Sequence, residues 1–192
     1  MPTPSSGQIS FQNLQNTFGT GSPVSFSQLY KGGTYVPNIT PNNAIPTANA
    51  IAIDDFYSTW GRKSLTFTVT IGSIAGKGKK GKKGSLYGFG TGFGSISAST
   101  FLTPNGPMTV RGLYYSTGDA RWHLKLSHTS SAPADTDLSF RQVSVSGYNI
   151  NGVRSARTST STSGNSRKWA WNVTNPAHPI SGTITCTIQY YG

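Results

Sequence analysis

The heptapeptide Leu65-Thr66-Phe67-Thr68-Val69-Thr70-Ile71 decides the fold class of this chain. Its apolar residues alternate with threonine, and a period of two is the pattern of a strand with one buried face. Threonine, valine, isoleucine and phenylalanine are also residues that strands favour. The stretch therefore predicts a half-buried strand.

Similar short runs follow downstream, each bounded by Gly, Pro, Asn, Asp or Ser. They span 108–116, 121–127, 138–146, 168–174 and 183–190. Several short strands at this spacing predict an all-β domain, a β-sandwich of two facing sheets. The apolar residues that recur with period two form its predicted core: Phe67, Val69, Ile71, Leu113, Leu124, Leu126, Phe140, Trp169, Trp171, Ile184 and Ile188. An alternative is that Trp169 or Trp171 is an exposed platform for sugars.

Upstream of residue 62 one short pattern occurs three times, at 9–15, 24–30 and 51–57. Each copy has two apolar residues separated by a small one, then two polar residues and a closing Leu or Phe. Ser10 and Ser25 occupy helix N-cap positions, and the third copy has acidic residues in its first turn instead. We therefore predict an extended N-terminal arm with short helical turns at 1–62, before the sandwich at 63–192.

An arm of this kind is expected to bury little of itself and to lie on a larger partner. The predicted docking residues are the apolar and aromatic members of the three copies: Ile9, Phe11, Leu14, Val24, Phe26, Leu29, Tyr30, Ile51, Ile53, Phe56 and Tyr57. At roughly 1.5–3 kcal/mol for each fully buried apolar side chain, such anchors suffice to hold the arm.

The first third of the chain resembles the N-terminal module of tailed-bacteriophage virion proteins. The resemblance rests on 6–11, 30–37 and 45–57, which follow the pattern Ser-Gly-x-Ile-Ser near the start of the module and Ile-Pro-x-x-Gly-x-Ile-Ser-hydrophobic-x-x-Phe-Tyr near its end. This chain departs from the pattern at Ala48-Asn49, where the family has glycine, and at Ala52, where it has serine. The resemblance implies a structural role in a virion.

A second resemblance concerns the sandwich region. Residues 87–90, 93–101, 110–115 and 169–171 are similar to a small β-domain of phage tail-fibre and other virion proteins. In those proteins the domain is a displayed module. Both parts of the chain thus imply the same class of particle.

Charge sets a further expectation about partners. The chain of 192 residues has 16 basic and 5 acidic residues, a net charge of +11, and no glutamate. Such a chain is attracted to polyanions. The densest cluster is a glycine-rich loop at 76–84 that contains Lys77, Lys79, Lys80, Lys82 and Lys83. This loop either binds a polyanion through its lysines or is a solvated loop with no specific contact. The Ser/Thr-rich run at 158–166 is expected to be another loop.

Little in the sequence predicts catalysis. The acidic residues are Asp54, Asp55, Asp119, Asp135 and Asp137, and neither they nor the three histidines are clustered like metal ligands. The single cysteine, Cys186, lies in a strand pattern and is expected to be a buried, inert thiol. We therefore expect no enzyme, no metal and no cofactor.

The resulting prediction is a phage virion structural protein, made in the host cytoplasm and carried in the particle. A tail component of fibre, baseplate or adaptor type is favoured. A capsid decoration protein is the alternative, and a polyanion- or nucleic-acid-binding protein that uses the lysine loop is the further alternative. The expected partners are other virion proteins and further copies of the chain, with weak binding to a polyanion or a host-surface glycan. No apolar run is long enough to span a membrane.

Overall fold

The structure is a computed structural model. It describes residues 2–75, 84–103, 105–128, 132–133, 140–172 and 178–191. Short helical segments precede a region of strands. In chain order the strands are β1 (Arg62–Thr70), β2 (Gly72–Ile74), β3 (Leu86–Phe89), β4 (Ser95–Ile96), β5 (Thr100–Thr103), β6 (Gly106–Ser116), β7 (Arg121–His128), β8 (Phe140–Val145), β9 (Tyr148–Val153), β10 (Ser159–Ser163), β11 (Ser166–Asn172) and β12 (Thr183–Tyr191).

The strands form two antiparallel sheets. The smaller has the order β4-β1-β12-β8-β9, and the larger has the order β10-β11-β7-β6-β3-β2, with β5 also paired to β6. The heptapeptide that predicted the fold class lies in the smaller sheet, where Phe67 pairs with Cys186 and Val69 with Ile184. The predicted all-β sandwich architecture is confirmed.

One apolar core fills the space between the sheets. Nine of the eleven predicted core residues are buried in it, and the other two, Ile71 and Ile184, are partly buried and pack against it. Trp169 and Trp171 are 0% and 1% exposed, so neither is an exposed sugar platform. Cys186 is a free, buried thiol, as expected, and burial raises its pKa to about 12.

The predicted strands match the observed ones to within a few residues at their ends, and the parts of them at 138–139 and 173–174 lie outside the described residues. The prediction of a loop at 158–166 is wrong. Residues Ser159–Ser163 form β10, which pairs along its whole length with β11. Its five side chains are all exposed, so no apolar periodicity marked it as a strand.

Residues 2–61, here called the N-terminal unit, contain one helix, α1 (Phe11–Phe18), and 3₁₀ turns at Phe26–Gln28, Thr40–Asn42 and Ile53–Phe56. The predicted helical turns are therefore present in all three copies of the repeat. The expectation that this segment buries little of itself is wrong. Its copies converge on a second apolar core, separate from that of the sandwich, formed by Leu14, Phe18, Leu29, Val36, Ile45 and Phe56.

A close backbone approach joins the N-terminal unit to the first strand. A Cβ on Gly61 would lie 1.7 Å from the carbonyl oxygen of Thr17, so only glycine fits there. The buried Asn42 amide donates to the Trp60 carbonyl at 2.8 Å and accepts from the Trp60 N–H at 2.8 Å. From the strand side, the Lys63 ammonium donates to the carbonyl of Asn16 at 2.5 Å. These contacts hold the unit against the start of β1.

Candidate functional site

The three repeats of the N-terminal unit begin with the same local hydrogen bond. In each, a side-chain oxygen at the fifth position accepts from the backbone N–H at the second position. The distances are 2.8 Å from Ser10 to Asn13, 3.3 Å from Ser25 to Gln28 and 2.9 Å from Ala52 to Asp55. This is the reciprocal half of a capping box, and it needs no side chain at the second position. It explains why Ala52 can replace the serine of the other copies.

The sixth position of each repeat is the inward anchor. Leu14, Leu29 and Phe56 are each 0% exposed and lie in the core of the N-terminal unit. The first positions, Ile9, Val24 and Ile51, are partly buried and pack against the same core. These six predicted docking residues therefore contact their own chain, and the three anchors have no surface left for a partner.

The third position is more exposed than the sixth in each repeat, but to different degrees. Phe11 is 51% exposed and Ile53 is 40% exposed, whereas Phe26 is half-buried and packs against the core of the unit. The rings of Phe11 and Phe26 lie 5.4 Å apart between centroids, and Phe26 stacks on the buried ring of Phe56 at 6.0 Å. Phe11 and Ile53 thus present apolar side chains at the surface, and Phe26 keeps part of its ring exposed beside Phe11. These three residues are here called the third-position set.

The seventh position ties each repeat to a distant backbone. The Tyr30 hydroxyl donates to the carbonyl of Asn49 at 2.5 Å, and the Tyr57 hydroxyl donates to that of Gly7. In the first copy the Gln15 amide donates to the carbonyl of Gly21 at 3.5 Å. The two predicted docking tyrosines therefore have a structural role within the unit.

The second predicted site, the lysine loop with Lys77, Lys79, Lys80, Lys82 and Lys83, lies outside the described residues. The strands beside it are described. β2 and β3 pair through Ile74 and Leu86, and the Ser85 N–H donates to the Thr117 hydroxyl at 2.8 Å. Ser85, which follows the loop in the chain, therefore lies beside the β6–β7 turn.

A basic surface that was not predicted lies on the outer side of the larger sheet. Because Trp122, Leu124 and Leu126 belong to the core, the alternate residues of β7 point outward, and the same alternation applies to β11 beside Trp169. The surface contains four cationic side chains and is here called the basic face: Arg111, Arg121, Lys125 and Lys168. The alternation of basic and apolar residues at 121–126 is the signal that identifies it from sequence.

Hydrogen bonds hold two arginines of this face in place. The Arg121 guanidinium donates through Nε to the Asn172 side chain at 2.8 Å and through Nη1 to the Ser159 hydroxyl at 3.4 Å. Arg111 lies at a bulge of β6 and donates through Nε to the Ser127 hydroxyl at 2.9 Å. Each guanidinium keeps further N–H groups beyond these bonds.

The only acidic side chain described in the sandwich, Asp119, lies beside this face. Its carboxylate is 3.1 Å from Nε2 of His123. Burial acts to raise the pKa of Asp119, but the hydrogen bond and charge of His123, with Ser116 and Arg121, outweigh it and lower the pKa to about 2. The pKa of His123 is lowered, chiefly by burial. At neutral pH the pair is therefore a carboxylate that accepts from a neutral imidazole.

Two further properties of the described residues bear on function. No group of three or more His, Cys, Asp or Glu side chains is placed there to hold a metal ion. No helix in that part of the chain is long and apolar enough to cross a membrane.

The residues that sequence reasoning missed are those that join distant segments. Asn42 is fully buried, and Thr3 bonds to Thr59 through both backbone and side chain. A single Asn or Thr in a polar stretch carries no signal for such a role, because its partners lie far away in the chain.

Comparison with known proteins gives no match for this chain, whether with family models, curated proteins or solved structures. The function of the chain is therefore inferred from its own residues and their geometry.

Proposed function

We propose that this chain is a structural protein of a tailed-bacteriophage particle. It attaches to a neighbouring protein of the particle through the third-position set, Phe11, Phe26 and Ile53, and displays the sandwich. The observation that carries the proposal is the difference in burial between the sixth and third positions of the repeat. Each copy buries its sixth residue to fold the unit, whereas its third residue keeps exposed surface: 51% in Phe11, 40% in Ile53 and a smaller part in the half-buried Phe26. Exposed apolar surface such as that of the neighbouring Phe11 and Phe26 rings is typical of protein interfaces.

The sequence resemblance supplies the class of particle, and a tail component is the preferred location within it. A capsid decoration protein is the alternative, since the same attachment geometry suits either place. A tag on the sandwich, located by electron microscopy of assembled particles, distinguishes head from tail.

The free energy of attachment available to this surface is smaller than the burial of all eleven predicted docking residues would provide. The three anchors at the sixth position are already buried in the unit. Phe11 and Ile53 still have about half of their surface to bury, which corresponds to roughly 1 kcal/mol for each side chain, and Phe26 has less. Attachment should therefore depend on all three copies together.

The test is a triple variant, Phe11→Ser with Phe26→Ser and Ile53→Ser, in the full chain. We expect the variant to fold and to be lost from assembled particles, measured as the amount of chain per particle on a quantitative blot. The matched control is Leu102→Ser with Ile180→Ser, which removes two other exposed apolar residues, 49% and 69% exposed, from the sandwich. Normal incorporation of the triple variant, or equal loss of the control, would contradict the proposal.

A further inference from the structure

The basic face places like charges opposite one another. Lys125 on β7 and Lys168 on β11 are direct cross-strand partners, and both point away from the core. Like charges at directly opposite positions destabilise a sheet. Beyond Lys125 the next strand has Gly112 in the same row, and the ring of Tyr114 lies over this glycine. An anion bound between the two ammonium groups would reduce their mutual repulsion.

The cations of this face form a patch of defined size. Arg121 and Lys125 are four residues apart on β7, which corresponds to about 13 Å along the strand. Arg111 and Lys168 lie on the strands to either side of β7, so the patch is about 10 Å wide across three strands. Asp119 is the only described carboxylate beside it, and that carboxylate is already bonded to His123. The patch therefore suits a ligand with several anionic groups.

The rest of the face is rich in hydroxyl and amide groups. The outward residues in register with the cations include Ser159, Ser161, Ser166 and Asn172. These side chains can both donate and accept, as the hydroxyls of a sugar chain require.

Aromatic rings contribute little to this surface. Tyr114 is the aromatic residue in the row of His123. It stacks on His123 at 5.1 Å between ring centroids and makes an edge-to-face contact with Phe93 at 5.9 Å. Its ring is thus already covered, whereas proteins that hold single-stranded nucleic acid use open aromatic platforms for the bases.

We propose that the basic face binds an anionic polysaccharide, a glycan that carries sulfate, phosphate or carboxylate groups, through Arg111, Arg121, Lys125 and Lys168. The guanidinium groups, fixed by Ser127, Asn172 and Ser159, bind the anionic groups with directed hydrogen bonds. The lysines bind them as point charges, and the serines bind the sugar hydroxyls. This site is distinct from the third-position set on the N-terminal unit and does not depend on it.

The test uses the full chain and heparin, a sulfated glycan, as the probe, with neutral dextran as a blank. Lys125→Ser with Lys168→Ser should weaken heparin binding by about tenfold or more at fixed salt, measured by calorimetry, since two charge-assisted contacts are lost. The matched control, Lys31→Ser with Arg154→Ser, removes the same charge elsewhere and should change the affinity by less than about twofold. A thermal melt should show both variants folded, because none of the four substituted residues belongs to either apolar core.

Two further measurements distinguish heparin binding at the basic face from binding elsewhere on the chain. A variant with serine in place of the five lysines at 77–83 should retain most of the heparin affinity. Single- and double-stranded DNA of matched charge should bind more weakly than heparin. The proposal fails if the face variant and the control lose affinity equally, if the loop variant alone abolishes binding, or if DNA binds more tightly than heparin.

Discussion

The sandwich and the N-terminal unit each bury an apolar core, but they reach it in different ways. In the sandwich, long antiparallel ladders such as β1 with β12 satisfy the backbone, and every second residue enters the core. In the N-terminal unit, short capped turns satisfy the backbone locally, and each repeat sends a single residue fully inward.

This difference has a consequence for the opposite surface of each region. A strand that buries alternate residues leaves the others free to be polar, so the outer side of the larger sheet can carry lysine, arginine and serine. Successive residues of a short turn point in several directions, so a turn with three apolar residues cannot bury all of them. The repeat therefore leaves an apolar surface where the sandwich leaves a charged one.

The largest effect expected from this comparison is that of Trp169→Ala in the sandwich. Trp169 is fully buried and packs on Phe140 at 5.3 Å between ring centroids. Its indole N–H finds no partner among the described residues, so the loss is one of packing. We expect a decrease of about 3–5 kcal/mol in the free energy of unfolding, measured by denaturant titration. Trp169→Phe should cost less, and an unchanged melting temperature for Trp169→Ala would refute the assignment to the core.

The next effect is that of Leu29→Ala in the N-terminal unit. Because this core is separate from that of the sandwich, we expect a local loss of about 2–3 kcal/mol. Native-state hydrogen exchange should show faster exchange of the Gly19 and Gly32 amides, which bond to Gln15 and Val36. The amides of β12 should keep their protection. Phe11→Ala, at an exposed position of the same unit, is the control and should change little. Equal acceleration in both regions would mean that they unfold as one.

The smallest effect is the pH dependence of the sandwich. Burial lowers the pKa of His123 from its ordinary value of 6.5, so the unfolded chain binds more protons below that pH. Stability should therefore fall as the pH decreases from about 6.5 toward the lower pKa of the folded state. The buried Nδ1 of His123 has no partner among the described residues, so protonation adds an N–H without an acceptor.

His123→Gln should flatten this part of the pH profile, measured as melting temperature against pH. His128→Gln is the matched control and should retain the slope, since His123 is still present. An identical slope in wild type and His123→Gln would show that the pH dependence has another origin.

The sequence predicted the sandwich better than the N-terminal unit for a physical reason. The alternation of apolar and polar residues at 65–71 or 121–127 is a local pattern, and it predicts both the strand and the face that is buried. Cross-strand pairing added β10, which consists of serine and threonine and is a strand only because β11 supplies its hydrogen bonds. In the unit, the caps at Ser10 and Ser25 were predictable, but the convergence of Leu14, Leu29 and Phe56 on one core was not. That convergence depends on connections of 14 and 26 residues whose path no local pattern encodes.

By itself, the amino-acid sequence determined the all-β class, most of the sandwich core, the helical turns of the repeat and the strong positive charge. These properties depend on near neighbours, because side-chain direction in a strand and capping in a turn are set within a few residues. Only the tertiary structure decided which apolar residue of each repeat is exposed, and which cations share a face. Lys125 and Lys168 are 43 positions apart in the chain, and the register of β7 with β11 is what makes them neighbours. That register follows from the packing of two whole sheets, a global property that no short stretch of the chain contains.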